Sequence, residues 1–336
     1  MKQLRWLAGM MAGLALAAVF APAGAQPPAA PDITFGLFGD LGYRAEQEPL
    51  VDNVLAELNR TPLAFVVHVG DLGSPRAGSC TDEHWARRLA QFRASANPLI
   101  YTPGDNEWTD CHEQQGVLGG NPLERLGKLR EVFFAGDRSF GQRSIALTRQ
   151  SQDAKFAKYR ENVRWDLAGI TFITLHVVGS NNGLGRTPEG DAEFNERNAA
   201  DLDWLRAGFA HAKSSGSRAV MVLQQANMFP EFTPFPGDPK KLSGGYDALR
   251  AALAKEAVDF GRPVVLVNGD SHYFRTDKPY MRLRSRPEQP AIENLTRLET
   301  FGAPNHHWVQ ATTDTGDPNV FSFRQRIVAA NVVKPK

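Results

Sequence analysis

The sequence predicts an α/β fold with a crevice of aspartates at the carboxyl ends of its strands. Three observations carry this reading. Apolar, β-branched runs alternate with segments of helical period along the chain. Four of those runs stop on Gly-Asp: Ile33–Phe38 on Gly39-Asp40, Val66–Val69 on Gly70-Asp71, Leu99–Pro103 on Gly104-Asp105, and Val264–Asn268 on Gly269-Asp270. The last run continues into Ser271-His272, which adds an imidazole to the carboxylates. Open α/β sheets place their ligands at this edge, so four such ends could converge on one metal-binding crevice. Gly-Asp is also an ordinary turn pair. The remaining four, at Gly136, Gly190, Gly237 and Gly316, lack a strand-like run and read as plain turns.

The first residues read as an export signal. Lys2 and Arg5 precede an apolar run from Trp6 to about Ala21, and Ala23-Gly24-Ala25 follows as a small-residue cleavage site. Cleavage is expected after Ala25, giving a secreted or periplasmic protein with no membrane segment in its mature form. Residues 26–31 read as a flexible leader, and 32–330 as one domain. Removing residues 1–25 leaves 36 basic against 37 acidic side chains, a net charge of −1. That balance argues against a nucleic-acid partner, whose binders carry a basic face. The two cysteines, Cys80 and Cys111, are expected to pair in an oxidising compartment and so tie the Asp71 loop to the Asp105 loop.

The elements follow in order. After the Asp40 strand, Val51, Val54, Leu55 and Leu58 repeat at helical spacing and lead into the Asp71 strand, a βαβ unit with a parallel pair. Trp85, Leu89 and Phe92 mark a helix begun near Thr81 or Asp82, both good caps. The Asp105 strand opens a dense polar and aromatic loop, Gly104 to His112, which fits a functional loop. Leu126, Leu129 and Phe133 mark the next helix, and Gly141 to Lys158 reads as a polar surface excursion. A hairpin follows, with strands 162–165 and 170–178 turning at Leu167-Ala168-Gly169. Leu202, Leu205 and Phe209 give a helix, 219–223 a strand ending at Gln224-Gln225, and 246–258 a helix before the Asp270 strand. Residues 295–301, 308–313 and 320–327 read as strands of a closing meander.

These motifs resemble those of the calcineurin-like metallophosphoesterases over about residues 32–327. The resemblance implies a four-layer α/β/β/α sandwich with a two-metal site at the strand ends. It also exposes departures from the family's Asp-x-His, Gly-Asp, Gly-Asn-His-Asp/Glu, lone His and Gly-His-x-His. Asp40 matches the first aspartate, but Gly42 stands in place of its histidine. Asp71 matches the metal-bridging aspartate. Gly104-Asp105-Asn106-Glu107 aligns with Gly-Asn-His-Glu, placing Asp105 at a ligand position and Asn106 at the histidine that assists the leaving group. Gln224 or Gln225 takes the lone-His position, and Gly269-Asp270-Ser271-His272 keeps only the last histidine.

Transferred residue by residue, one subsite would hold Asp40, Asp71 and His272. The other would hold Asp71, Asp105, Asp270 and an amide oxygen of Gln224 or Gln225. Mostly oxygen donors suit Mg²⁺ or Mn²⁺, with Ca²⁺ also accommodated, one or two ions in all. Asn106 donates a hydrogen bond but no acidic proton, which leaves Glu107, His112 and His176 as candidates for that role. Arg44 is a candidate phosphate contact. The reading is an exported metal-dependent phosphoesterase acting on a small phosphate ester. Its rivals are a non-catalytic relative that binds a ligand or partner, favoured by the lost histidines, and a Ca²⁺-stabilised structural module.

Overall fold

The computed structural model describes residues 32–112, 120–229, 244–281 and 291–332. The proposed signal, its cleavage site and the leader lie outside these residues. The first sheet has the order β12-β11-β1-β2-β3. Its strands are β1 (Thr34–Phe38), β2 (Val66–His68), β3 (Leu99–Tyr101), β11 (Trp308–Thr313) and β12 (Phe321–Arg326). The second has the order β4-β5-β6-β7-β8-β10-β9. It is built from β4 (Thr148–Arg149), β5 (Val163–Leu167), β6 (Ile170–Thr174), β7 (Ala219–Leu223), β8 (Val264–Asn268), β9 (Arg275–Asp277) and β10 (Leu295–Glu299).

Among the described residues the helices of more than one turn are α1 (Glu48–Arg60), α2 (Asp82–Arg93), α3 (Pro122–Phe133), α4 (Pro188–Ser214) and α5 (Asp247–Phe260). α1 connects β1 to β2 as a parallel pair, with Gly36 beside Val66 and Phe38 beside His68. α2 starts where its cap suggests, the Thr81 side chain accepting the His84 N–H at 3.2 Å. Among the described residues no helix is long and apolar enough to cross a membrane.

Strand alternation assigns each face of each sheet. Phe38, Val66, Leu99 and Tyr101 of the first sheet join Val54, Trp85, Phe92 and Leu129 from α1 to α3 in one cluster. Phe35, Leu37 and Val67 point the other way and meet Phe172, Met221, Val265 and Val267 of the second sheet. The far face of that sheet, with Ile173, Val220, Val222 and Leu266, packs on Leu205, Phe209, Leu249 and Leu253 of α4 and α5. All five residues of β7 are fully buried because both their faces are covered.

The closing strands differ from the expected meander. β10 stays in the second sheet, parallel to β8 and antiparallel to β9. The chain then crosses to the first sheet, where β11 pairs antiparallel with β1 and β12. The helix-free connection does not reveal this, because β10 buries Leu295 and Leu298 among strands that are distant in sequence. The crossing segment, 300–307, passes over the strand ends and becomes part of the site. Cys80 and Cys111 form a disulfide, with Cα atoms 5.7 Å apart.

Candidate metal centre

β1, β2 and β8 each pass their chain to an aspartate in the left-handed region, with φ of 55° at Asp40, 56° at Asp71 and 77° at Asp270. His272 shares it at 57°. This conformation costs an L-residue roughly 1–2 kcal/mol, and aspartate tolerates it better than most. Here it turns the chain at the strand end while leaving the carboxylate inside: Asp40 is 0 % and Asp71 3 % exposed. Asp105 does not share the left-handed conformation.

The preceding glycines have a physical reason that the repeat alone does not show. A Cβ on Gly104 would lie 2.0 Å from Asp71 Oδ1, and one on Gly269 would lie 1.9 Å from Asp40 Oδ2. Each glycine therefore vacates the space that a carboxylate from another strand occupies. The Gly269–Asp40 contact joins the second sheet to the first, so the two sheets meet at these ends. Gly179 does the same for Asp105, whose two carboxylate oxygens would each lie 2.7 Å from its Cβ.

Asp40, Asp71 and His272 each offer one ligand atom, and these atoms lie within 4.8 Å of one another. The His272 Nδ1–H donates to the Ala303 carbonyl at 2.7 Å. A carbonyl only accepts, so this contact fixes the tautomer and leaves Nε2 with its lone pair free, 3.7 Å from Asp40 Oδ1. Asp40 Oδ1 accepts the Asp270 N–H at 2.8 Å, while its Oδ2 is buried with no hydrogen-bond partner. His272 borders an open cleft of about 670 Å³ that is also lined by Tyr43, Arg44, Ser74, Arg76 and Ala303.

Burial raises the Asp40 carboxyl well above its usual range, and Asp270, Asp105 and Glu299 add like charge. Asp71 is raised by burial and then by Asp105, Glu107 and Asp40, with the Tyr43 hydroxyl opposing. Asp105 and Glu107 are each pushed up to about 7, mainly by burial. Burial lowers His272, keeping its imidazole neutral. Buried like charges, an orphaned carboxylate oxygen and an imidazole with a free lone pair together fit a divalent cation. Asp40, Asp71 and His272 are the residues that would hold it.

The other predicted site residues take different places. Asn106 donates through Nδ2 to Asp71 Oδ2 at 3.0 Å and to the Gly73 carbonyl at 2.9 Å, so its amide holds Asp71 in position. Gln225 was expected to present a carbonyl oxygen. Instead its Nε2 donates to Asp71 Oδ2 at 3.2 Å, and its Oε1 accepts the Gly179 N–H at 2.6 Å. Gln224 points elsewhere, donating to the Ala226 carbonyl at 2.9 Å. Asp270 Oδ2 accepts the Asn227 N–H at 2.8 Å. Glu107 is wholly buried, with Oε1 accepting from Leu72 N at 2.7 Å and the Tyr101 hydroxyl at 3.0 Å. His112 follows the disulfide, its backbone N–H donating to Asp110. His176 lies in a separate buried network, with Nδ1 2.7 Å from Glu161 Oε1. Arg44 reaches the cleft but not the ligand group.

Three contributors escaped the sequence reading. The Tyr43 hydroxyl donates to Asp71 Oδ2, and its ring packs edge-on against His272 with centroids 4.6 Å apart. His306 holds the Asp40 loop, its Nδ1 contacting the Pro304 carbonyl at 3.0 Å while Nε2 accepts the Gly42 N–H at 3.3 Å. The Ala303 carbonyl orients His272. Tyr43 stands close enough to Asp40 in sequence to have been flagged, but nothing local marks residues 303 and 306.

No family model matches the chain, and no curated protein matches it. Among solved structures 33 chains match. One is vacuolar protein sorting 29 from Cryptosporidium parvum, with a TM-score of 0.31 and 10 % identity over 88 % of this chain and 96 % of that one. A likeness at that level carries no argument about activity.

Proposed function

We propose that this protein is an exported, metal-dependent phosphoesterase with a calcineurin-like α/β/β/α arrangement, acting on a small phosphate ester. The observation that carries the proposal is the convergence of Asp40, Asp71 and His272 at the ends of strands from both sheets. The three apolar clusters support the layer order. The charged and apolar amino-terminal pattern, with the Cys80–Cys111 bridge, supports export.

Two carboxylates and one imidazole favour Mg²⁺ or Mn²⁺, with Ca²⁺ also within reach of the donor set. When bound, such an ion supplies a water of lowered pKa and polarises a phosphoryl oxygen. The chain's own residues do the rest. Ala303 fixes the His272 tautomer, and Asn106 and Tyr43 hold Asp71. The cleft beside His272 admits the ester, with Arg44 and Arg76 offering positive charge to its phosphate oxygens. The test is hydrolysis of an aryl phosphate by chelator-treated protein, with and without added Mn²⁺ or Mg²⁺. Metal-restored turnover is expected.

A second reading, a non-catalytic metal-binding relative, has its own observation. Asn106 carries no acidic proton, His176 and Glu107 are committed to buried hydrogen bonds, and no described histidine other than His272 joins the ligand group. Tight metal binding without cleavage of any phosphate ester would give this reading the lead.

A further inference from the structure

We infer that the centre holds one cation and not two, because three side-chain donors saturate one carboxylate oxygen of Asp71. The inference rests on the reading of this site as a metal centre and departs from the pair of subsites that the sequence suggested.

A carboxylate oxygen binds a cation through a lone pair. Asp71 Oδ2 accepts from the Tyr43 hydroxyl, from Asn106 Nδ2 at 3.0 Å and from Gln225 Nε2 at 3.2 Å. Three donors exceed the two lone pairs that one oxygen carries in a carboxylate with about four acceptor sites. Their positive ends all face that oxygen, which disfavours a cation on it. Asp71 Oδ1 carries one described hydrogen bond, from the Asn106 backbone N–H at 3.2 Å. Asp71 thus has capacity for one ion on one oxygen.

The two amides cannot be rotated to lift the block. Turning Gln225 over would set its NH₂ against the Gly179 N–H, which only donates and now binds Oε1 at 2.6 Å. Turning Asn106 over would set its oxygen against the Gly73 carbonyl, which only accepts and now binds Nδ2 at 2.9 Å. Both orientations are held by backbone groups whose polarity is fixed. The other proposed ligands point to the same conclusion. Among the described residues, neither Asp105 nor Asp270 joins a group of three or more ligand side chains. The donors of Tyr43, Asn106 and Gln225 therefore replace a second ion in compensating the Asp71 charge.

The test titrates the metal-free full chain with Mn²⁺, following stoichiometry by calorimetry and elemental analysis and coupling by electron paramagnetic resonance. One ion per chain with an uncoupled six-line spectrum is expected. Two ions per chain with an exchange-coupled spectrum would overturn the inference while leaving the phosphoesterase proposal intact. No binding at millimolar Mn²⁺ would defeat both. One bound ion without hydrolysis of any phosphate ester would support the inference and defeat the proposed activity. Location is read with His272→Ala, expected to weaken Mn²⁺ binding at least 10-fold, and Asp105→Asn, expected to retain a single ion within 10-fold of the wild-type affinity. Undiminished binding in His272→Ala, or loss of the ion in Asp105→Asn with folding intact by circular dichroism, would overturn it.

Discussion

Two clusters of buried charge in this molecule differ in how the chain treats them. Around Glu161, the chain supplies its own compensation. Arg130 Nη2 lies 2.6 Å from Glu161 Oε1, His176 Nδ1 contacts the same oxygen at 2.7 Å, and the carboxyl is held well below its usual range despite complete burial. Around Asp40 and Asp71 the burial is similar, but the compensation comes from neutral donors, with no Arg or Lys among the described ion pairs of either residue. The charges that act most strongly on these two are those of other carboxylates, and both are raised. Burial alone therefore does not mark a functional carboxylate. What separates the clusters is the sign of the neighbours: one is electrostatically complete, and the other gains if a cation binds.

The largest effect should come from unbalancing the complete cluster. Glu161→Gln leaves Arg130 and His176 without their carboxylate and should destabilise the fold by about 3–5 kcal/mol, read from urea unfolding. Metal dependence should be unaffected. A loss below about 1 kcal/mol would show that the contrast between the clusters is overdrawn.

Breaking the Cys80–Cys111 bridge comes next. The bond closes 31 residues and joins the loops that carry Asp71 and Asp105. Reduction should cost roughly 3–4 kcal/mol on the chain-entropy estimate. Two free thiols in the denatured, unreduced protein would contradict the pairing itself.

The incomplete cluster is probed through Asp71. Asp71→Asn keeps the shape, removes a charge from the ligand set and should reduce hydrolysis on the order of 10²-fold or more. The comparison is Asp137→Asn, at one of the turn-like Gly-Asp pairs and on a largely exposed side chain, which should leave activity nearly unchanged. Equal behaviour of the two variants would dissolve the distinction between strand-end and turn aspartates.

The smallest effect is a pH dependence at the incomplete cluster that a bound metal should offset. Asp105 and Glu107 titrate at about 7 in the folded protein, against about 4 for unfolded carboxylates. Folded values above unfolded ones favour the protonated form. Their stabilising contribution is complete below about pH 4 and is lost as the pH rises through about 7. Chelated protein should therefore lose thermal stability from pH 5 to pH 8, and Mn²⁺ should restore at least about 3 °C more at pH 8 than at pH 5. A metal increment in Tm that shrinks with rising pH would reverse the electrostatic assignment.

Much of this could be read along the chain. The strand-end pattern picked out Asp40, Asp71 and His272, which the fold brings together, and helix periodicity located α1, α2, α3 and α5 but marked only the second half of α4, which begins at Pro188. It did not predict that β10 stays with β8 while β11 returns to β1. Strand order depends on which apolar faces find each other across long separations, and no local period encodes that. Nor did it predict which way an amide would face. Gln225 was read as a carbonyl ligand because its position, not its partner, was visible; the Gly179 N–H that orients it lies 46 residues away.

By itself, the sequence determined which residue types stand at the strand ends and that glycine precedes each aspartate. Those choices follow from local backbone chemistry: an aspartate accepts the left-handed turn, and a run of β-branched residues makes the strand beneath it. Only the tertiary structure decided that Gly104 and Gly269 make room for another strand's carboxylate, that Ala303 and His306 orient the centre from a crossing segment, and that three donors converge on one oxygen of Asp71. Hydrogen bonds and like-charge repulsion act over a few ångströms in space, whatever the separation along the chain.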